Sequence, residues 1–227
     1  MKKIGICAVT APGAMMCYRS IIEEIALKDD LLSNPEIILL QPDLMILKQA
    51  WMSRSIDALL KLLEHQFIKL ESYGVDFIII PCNTAHYVVD LARKKIKTPV
   101  YSILDVTSQF IKDKNYKNVL FLGTNWTLEG KLYNKHAQIY GYQITYPSPT
   151  DITQINNYIE HELIYFKNIE KVTSELLKII SKYTENCDSI ALACTELPLA
   201  INDQNSPLPV IDTTKLLAIY AANKSIV

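Results

Sequence analysis

The stretch Asp76-Phe-Ile-Ile-Ile-Pro-Cys82-Asn-Thr-Ala-His86 decides how this chain folds. The apolar run from Val75 to Ile80 is unbroken and rich in isoleucine. That is the pattern of a strand covered on both faces of a parallel sheet; a half-exposed strand would alternate. A second copy of the same pattern reads Asp188-Ser-Ile-Ala-Leu-Ala-Cys194-Thr-Glu-Leu-Pro198. In each copy a cysteine stands six residues after the Asp. Each copy then reaches a Pro-Val step, Pro99-Val100 and Pro209-Val210, followed by Asp105 and Asp212. Upstream, Lys2-Lys-Ile-Gly-Ile-Cys-Ala-Val opens the first half and Tyr116-Lys-Asn-Val-Leu-Phe-Leu-Gly123 the second. A period of a whole domain means duplication rather than a solenoid.

Working outward, strand and helix patterns alternate. Strands are expected at Lys3–Val9, Glu36–Leu40 and Val75–Ile80, then near Asn118–Leu122, Gln143–Tyr146 and Ser189–Ala193. Helices are expected at Ala14–Lys28, stopping near Ser33-Asn34-Pro35, and at Ser53–Tyr73, where Ile56, Leu59, Leu60, Leu63, Phe67 and Leu70 keep a helical period up to Gly74. Further helices are expected at His86–Lys95, Leu128–Tyr140, Glu170–Tyr183 and Thr213–Ala222. Alternation of this kind predicts an α/β protein: two similar half-domains, each a mostly parallel sheet flanked by helices, with the active site in the cleft between them. The expected division is 1–100 carrying Cys82 and 101–211 carrying Cys194, with 212–227 free to pack back on the first half. In such sheets ligands bind beyond the C-terminal strand ends, where both cysteines fall.

Composition narrows the function. The chain has 227 residues, 49% hydrophobic and 21% charged, as ordinary globular proteins have. A net charge of −1 supplies no electrostatic reason to bind nucleic acid or an anionic membrane. Six glycines, none in a GxGxxG or P-loop array, exclude those nucleotide-binding motifs. Five cysteines without a CxxC pair argue for reduced thiols in a cytoplasmic protein and against a disulfide scaffold or structural zinc. Met1-Lys-Lys and the apolar residues up to Cys17 imitate a signal peptide, but Pro12-Gly13 interrupts them, and Ile4, Ile6 and Ala8 read better as a buried strand. No apolar run reaches the roughly 18 residues of a membrane span.

A thiolate is reactive only where its surroundings favour negative charge. Cys82 and Cys194 each follow a strand and precede an expected helix, whose first amides favour an anion. Asn83-Thr84 and Thr195 add donors beside each sulfur. Two opposed thiols suit inversion at carbon, one removing a proton and the other delivering one to the opposite face. Against this stands the commoner fate of a free cysteine, that of a small buried hydrophobe, which is the reading for Cys7, Cys17 and Cys187. The i, i+4 spacing of Cys82 and His86 also leaves a metal site open, without an evident third ligand in the sequence.

Pro81-Cys-Asn-Thr-Ala-His86 and Ala193-Cys-Thr-Glu-Leu-Pro-Leu199 resemble the two signature motifs of the aspartate/glutamate racemase family, on its aspartate racemase side. Val119-Leu-Phe-Leu-Gly-Thr124-Asn-Trp-Thr127 and Pro99-Val-Tyr-Ser-Ile-Leu-Asp105 resemble the same family. The resemblance implies a cofactor-independent isomerase, usually a homodimer, that racemises aspartate or a related amino acid as its small-molecule substrate, with Cys82 and Cys194 as the acid/base pair. It implies Asn83, Thr84 and Thr195 as holders of the substrate's carboxylate and amino group, with Glu196 counted among the substrate-binding residues. Thr124 and Thr127 would lie beside the ligand, and Lys167 matches a basic position that reaches it. Two departures bear on specificity. The first loop reads Ala11-Pro-Gly-Ala14-Met15 where the family often has Gly-Gly-Met, and the substrate's side-chain carboxylate would be met by Lys48 or Arg54. Lysine does not replace arginine at a bidentate carboxylate site, so a broader or glutamate-type racemase, or a non-catalytic amino-acid-binding homologue, stays open.

Overall fold

The computed structural model describes residues 1–28, 34–53 and 55–226, without the side chains of 48, 51 and 52. The chain divides into two compact units, Met1–Ile103 with Leu217–Val227, and Leu104–Leu216. The first unit runs β1 (Ile4–Cys7), α1 (Ala11–Ala26), β2 (Ile37–Leu40), α2 (Leu44–Met52), α3 (Ile56–Ser72), β3 (Phe77–Ile79), α4 (His86–Ala92), a 3₁₀ turn Arg93–Lys95 and β4 (Val100–Tyr101). The second continues with α5 (Ile103–Asp113), β5 (Asn118–Gly123), α6 (Asn125–Glu129), α7 (Asn134–Tyr140), β6 (Gln143–Thr145), α8 (Pro149–His161), a 3₁₀ turn Leu163–Tyr165, α9 (Ile169–Ser181), β7 (Ser189–Ala193), a 3₁₀ turn Leu197–Leu199 and β8 (Val210–Asp212). α10 (Thr213–Ile226) begins in the second unit and packs in the first from Leu217 onward.

Each unit is built on a four-stranded sheet, and the two strand orders correspond: β2-β1-β3-β4 and β6-β5-β7-β8. All six pairings are parallel. The predicted α/β class with two similar halves is therefore the fold observed. The Ile-rich run forms the inner strand β3, fully buried, and its counterpart β7 is buried along all five residues. Ile21 and Ile25 of α1 and Leu59, Leu63, Phe67 and Leu70 of α3 are buried with Ile4, Ile6, Ile78 and Ile79 in the first core. Such burial of a large aliphatic side chain stabilises by about 1.5–3 kcal/mol each.

The duplication extends to individual backbone groups. The Asp76 carboxylate accepts from the Lys3 amide at 2.6 Å, and that of Asp188 accepts from the Lys117 and Asn118 amides at 2.6 and 3.1 Å. Each Asp thus ties the start of its third strand to the start of its first. The Pro-Val steps match likewise: the Pro99 carbonyl accepts from Ile78 at 2.8 Å and the Pro209 carbonyl from Ile190 at 2.9 Å. The downstream acids do not correspond. Asp212 ends β8, whereas Asp105 lies in the first turn of α5.

Several element expectations need correction. The helix expected from Ala14 starts at Ala11, because Pro12 sits in the first turn, where no amide donor is needed; the altered Ala11–Met15 segment is therefore helix rather than loop. Its far end is Ala26, and Ser33, expected near its stop, lies outside the described residues. Leu128–Tyr140 is two helices, because Gly130 ends α6 and Lys131 takes a left-handed conformation at φ 52°. Helices α2, α5 and α8 and the two-to-three-residue strands β4 and β8 were not expected.

Candidate active site

In a sheet ordered 2-1-3-4, the connections from the first and third strands leave in opposite directions, opening a crevice at their C-terminal ends. That point lies between β1 and β3 in one unit and between β5 and β7 in the other. Cys82 follows β3, and Cys194 follows β7 directly. The sequence has thus put a thiol at the switch point of each sheet.

In the first unit Cys82, Asn83, Thr84 and His86 are all buried, Cys82 being 8% exposed. The Ile103 amide donates to His86 Nε2 at 3.2 Å, so that nitrogen carries no proton. Nδ1 therefore carries it and donates to the Cys82 carbonyl at 2.8 Å. His86 is a neutral brace that fixes the Cys82 backbone to the start of α5, and both ring nitrogens are committed, which removes it as a metal ligand. Among the described residues no cluster of three or more His, Cys, Asp or Glu is placed to hold a metal. Cys7, at the end of neighbouring β1, is fully buried; burial pushes its thiol far up, with the nearby Cys82 adding to the effect. It stays a neutral thiol behind Cys82. Helix α4 has seven residues, too few for the strong N-terminal field that the sequence suggested.

In the second unit Gly123 pairs with Ala193, so Thr124 and Cys194 leave adjacent strands side by side. Thr124 caps α6, its Oγ1 accepting from the Thr127 amide at 3.3 Å and lying 3.2 Å from Thr127 Oγ1. The close approach of β5 to β7 favours a glycine: a Cβ on Gly123 would stand 3.0 Å from the Ala193 carbonyl oxygen, tight enough that the backbone must give by a few tenths of an ångström. Cys194 leads into the 3₁₀ turn Leu197–Leu199 rather than into an α-helix, so the expected helix amides are replaced by a different neighbour. Glu196, 2% exposed, turns back to the sulfur: the Cys194 thiol donates to Glu196 Oε2 at 3.0 Å, and the Thr195 hydroxyl to the same oxygen at 3.1 Å. At the level of Leu192, β8 ends in Asp212, whose carboxyl burial pushes up while the Lys215 amide, donating at 2.9 Å, opposes the rise.

The structure thus brings Thr124, Thr127, Cys194, Thr195 and Glu196 to one sheet end, and Cys82, Asn83 and Thr84 to the equivalent end of the other. Lys167 is exposed, between the left-handed residues Phe166 and Asn168, its ammonium 5.4 Å from the Tyr165 ring centre. The side chain of Lys48, on α2, and all of Arg54 lie outside the described residues. Sequence reasoning missed Thr10, 4% exposed, which holds the N-cap position of α1 after β1 as Thr124 holds that of α6 after β5. Its signal was present in the parallel between Ala8-Val-Thr10 and Leu122-Gly-Thr124.

A doubled, all-parallel α/β chain with a thiol at each switch point defines the class of this protein. Its residues 15–221 match the Asp/Glu/Hydantoin racemase family, and the chain belongs to that family. A provisionally assigned Asp/Glu racemase from Yersinia pestis superposes with a TM-score of 0.88 at 26% identity, covering 100% of both chains. An aspartate racemase homologue from Pyrococcus horikoshii gives 0.81 at 27% identity, over 99% of this chain and 98% of the other. The broad specificity amino-acid racemase RacX of Bacillus subtilis is 27% identical over 151 residues, 66% of this chain and 65% of that relative. The aligned part is therefore just under two thirds of that relative's length. Among the described residues no helix is long and apolar enough to cross a membrane.

Proposed function

We propose that this protein is an amino-acid racemase that interconverts L- and D-aspartate, or a related amino acid, with Cys82 and Cys194 as its two acid/base groups. One observation carries the reading. A cysteine stands at the same topological point of two sheets of the same strand order. In the proposed step one sulfur, as thiolate, takes the α-hydrogen as a proton, leaving the electron pair on Cα delocalised into the carboxylate. The other sulfur, as thiol, gives its proton to the opposite face of Cα. No electron is transferred, and the chemistry asks for no cofactor. Asn83, Thr84 and Thr195 supply donors for the α-carboxylate and amino group, Thr10 adds a hydroxyl in the first unit and Thr124 and Thr127 add theirs in the second; Lys167 supplies charge for an acidic side chain. The Pyrococcus relative's name supports aspartate and the Bacillus relative's supports a wider range.

The test is exchange at Cα. The protein is incubated without added cofactor in D₂O with both enantiomers of aspartate, glutamate and a neutral amino-acid panel, followed by NMR and chiral chromatography. Exchange with inversion is expected for at least one acidic amino acid. Cys82→Ala and Cys194→Ala should each lower turnover by about 10²-fold or more, the scale of a lost acid or base. Near-wild-type turnover in either variant refutes the two-thiol mechanism. Tight binding without exchange would make the chain an amino-acid-binding homologue.

A further inference from the structure

We propose that Glu196 acts on Cys194 rather than on the substrate, positioning that sulfur and favouring its protonated state. The inference rests on the racemase reading for its catalytic meaning, but the contact stands without it. Oε2 of Glu196 lies 3.0 Å from Cys194 Sγ and 3.1 Å from Thr195 Oγ1. Oε2 is within hydrogen-bond reach of both the thiol and the hydroxyl, and an ionised carboxylate offers acceptors only. All three residues are buried, so water screens little of the interaction. A carboxylate at this distance stabilises S–H by accepting from it and opposes S⁻ by like charge.

The two motif copies differ at this point. Four residues after Cys82, His86 is spent on bracing backbone. Two residues after Cys194, a carboxylate grips the sulfur itself. The duplicated fold has kept two thiols, and at the second a carboxylate meets the sulfur directly. On the neighbouring strand β8 the ionisable group is Asp212, with Lys215 and Asp203 acting on it. Strand β5 and the 3₁₀ turn Leu197–Leu199 contribute none. Asp188 and Cys187 lie at the opposite end of β7. The proton balance is simple. When Cys194 delivers its proton to Cα, the S–H pair stays on sulfur and the C–H bond forms from the electron pair on Cα, while Cys82 holds the proton taken from the substrate; the resting state returns when solvent takes that proton from Cys82 and supplies one to Cys194, which Glu196 favours.

The experiment measures the rate of Cys194 alkylation by iodoacetamide against pH, located by peptide mass spectrometry, in wild type, Glu196→Gln and Glu196→Asp. In Glu196→Gln the midpoint should move about one unit to lower pH, giving roughly tenfold faster alkylation below the midpoint. Glu196→Asp keeps the charge and should stay near wild type. With substrate, Glu196→Gln should lower kcat on the order of tenfold or more with little change in KM. A Cys194 profile that Glu196→Gln leaves in place overturns the proposal, as does an equal shift in Glu196→Asp, which would assign the effect to packing. A raised KM with unchanged kcat would return Glu196 to substrate binding. Should Glu196→Gln fail to fold, ¹³C NMR of Cys194 Cβ in the wild type decides: a thiol signal through neutral pH supports the proposal and a thiolate signal overturns it. If the wild type racemises nothing, the racemase reading fails, while the alkylation profiles still decide what Glu196 does to Cys194.

Discussion

At the residue scale, several acidic side chains in this protein accept from backbone amides that the topology leaves open. Glu71 in α3 shows this: its Oε1 accepts from the Thr98 amide at 2.9 Å, the Lys97 amide at 2.7 Å and the Thr98 hydroxyl at 3.1 Å, fastening the turn that leads into β4. The Thr98 amide and then the Lys97 amide hold its carboxyl below the usual glutamate range. A carboxyl depressed in the folded state contributes stability that is present above the ordinary value of about 4.3 and is lost as pH falls through the folded value. Glu71→Gln should therefore lower the melting temperature at pH 7, and the gap to wild type should shrink on acidification below about pH 4. Thermal melts at several pH values check this. A gap constant from pH 7 to pH 3 would mean that charge at Glu71 contributes nothing. None of this is legible in the sequence, since Glu71 and Thr98 are 27 residues apart and nothing local marks them as partners.

At the element scale, the approach of β5 to β7 places Thr124 beside Cys194, and Gly123 permits it. In Gly123→Ala the new methyl would stand 3.0 Å from the Ala193 carbonyl oxygen and 3.5 Å from Thr127 Cβ. Backbone cannot swing aside as a side chain can, so the strand ends must separate. The expected cost is about 1–3 kcal/mol of stability, typical of overpacking. Turnover should fall further than the loss of folded protein explains, because the displaced carbonyl immediately precedes Cys194. Urea melts with activity measured on the folded fraction check both; full activity per folded molecule would show that the loop tolerates the shift. The strands carrying the cysteines are readable because buried parallel strands write continuous apolar runs. Helix α8 escapes that reading although Ser148 caps it, accepting from the Asp151 amide at 3.2 Å, with Pro149 in its first turn; its polar face weakens the period. α5 escapes it because Ser102-Ile-Leu-Asp105 reads as part of a motif rather than as a helix start. The split between α6 and α7 comes from Gly130, which helical periodicity passes over. The thiol positions are legible from the repeat, whereas Glu196's grip on Cys194 depends on a 3₁₀ turn standing where a helix is expected.

At the scale of the whole molecule, one sheet plan is used twice, and the chain then returns across the division. The first unit takes its last helical segment from residues beginning at Leu217. Leu217, Ala218, Ala221, Ala222 and Ser225 are all fully buried. The Ser225 carbonyl accepts from the Lys2 amide at 2.7 Å, and the Tyr220 ring meets Tyr101 edge-on at 5.0 Å between centres. Periodicity alone could not assign this helix to a half, because small residues on a buried face write no amphipathic stripe. Leu217→Ala should cost about 2–5 kcal/mol, the range for a buried leucine. That loss should be uneven. Amides of β1 and β3 should lose hydrogen-exchange protection, while those of β5 and β7, in the unit that Leu217 does not join, should keep most of theirs. Exchange measured by mass spectrometry on peptides covering Ile4–Cys7, Phe77–Ile79, Asn118–Gly123 and Ser189–Ala193 separates the cases. Equal loss in all four peptides would show that the chain unfolds as a single cooperative body. Loss confined to the second pair would place the weight of Leu217 in the wrong unit. Loss confined to the first pair would also explain why the thiol at β3 depends on residues more than a hundred positions downstream: the sheet that presents Cys82 is complete only when the end of α10 has packed.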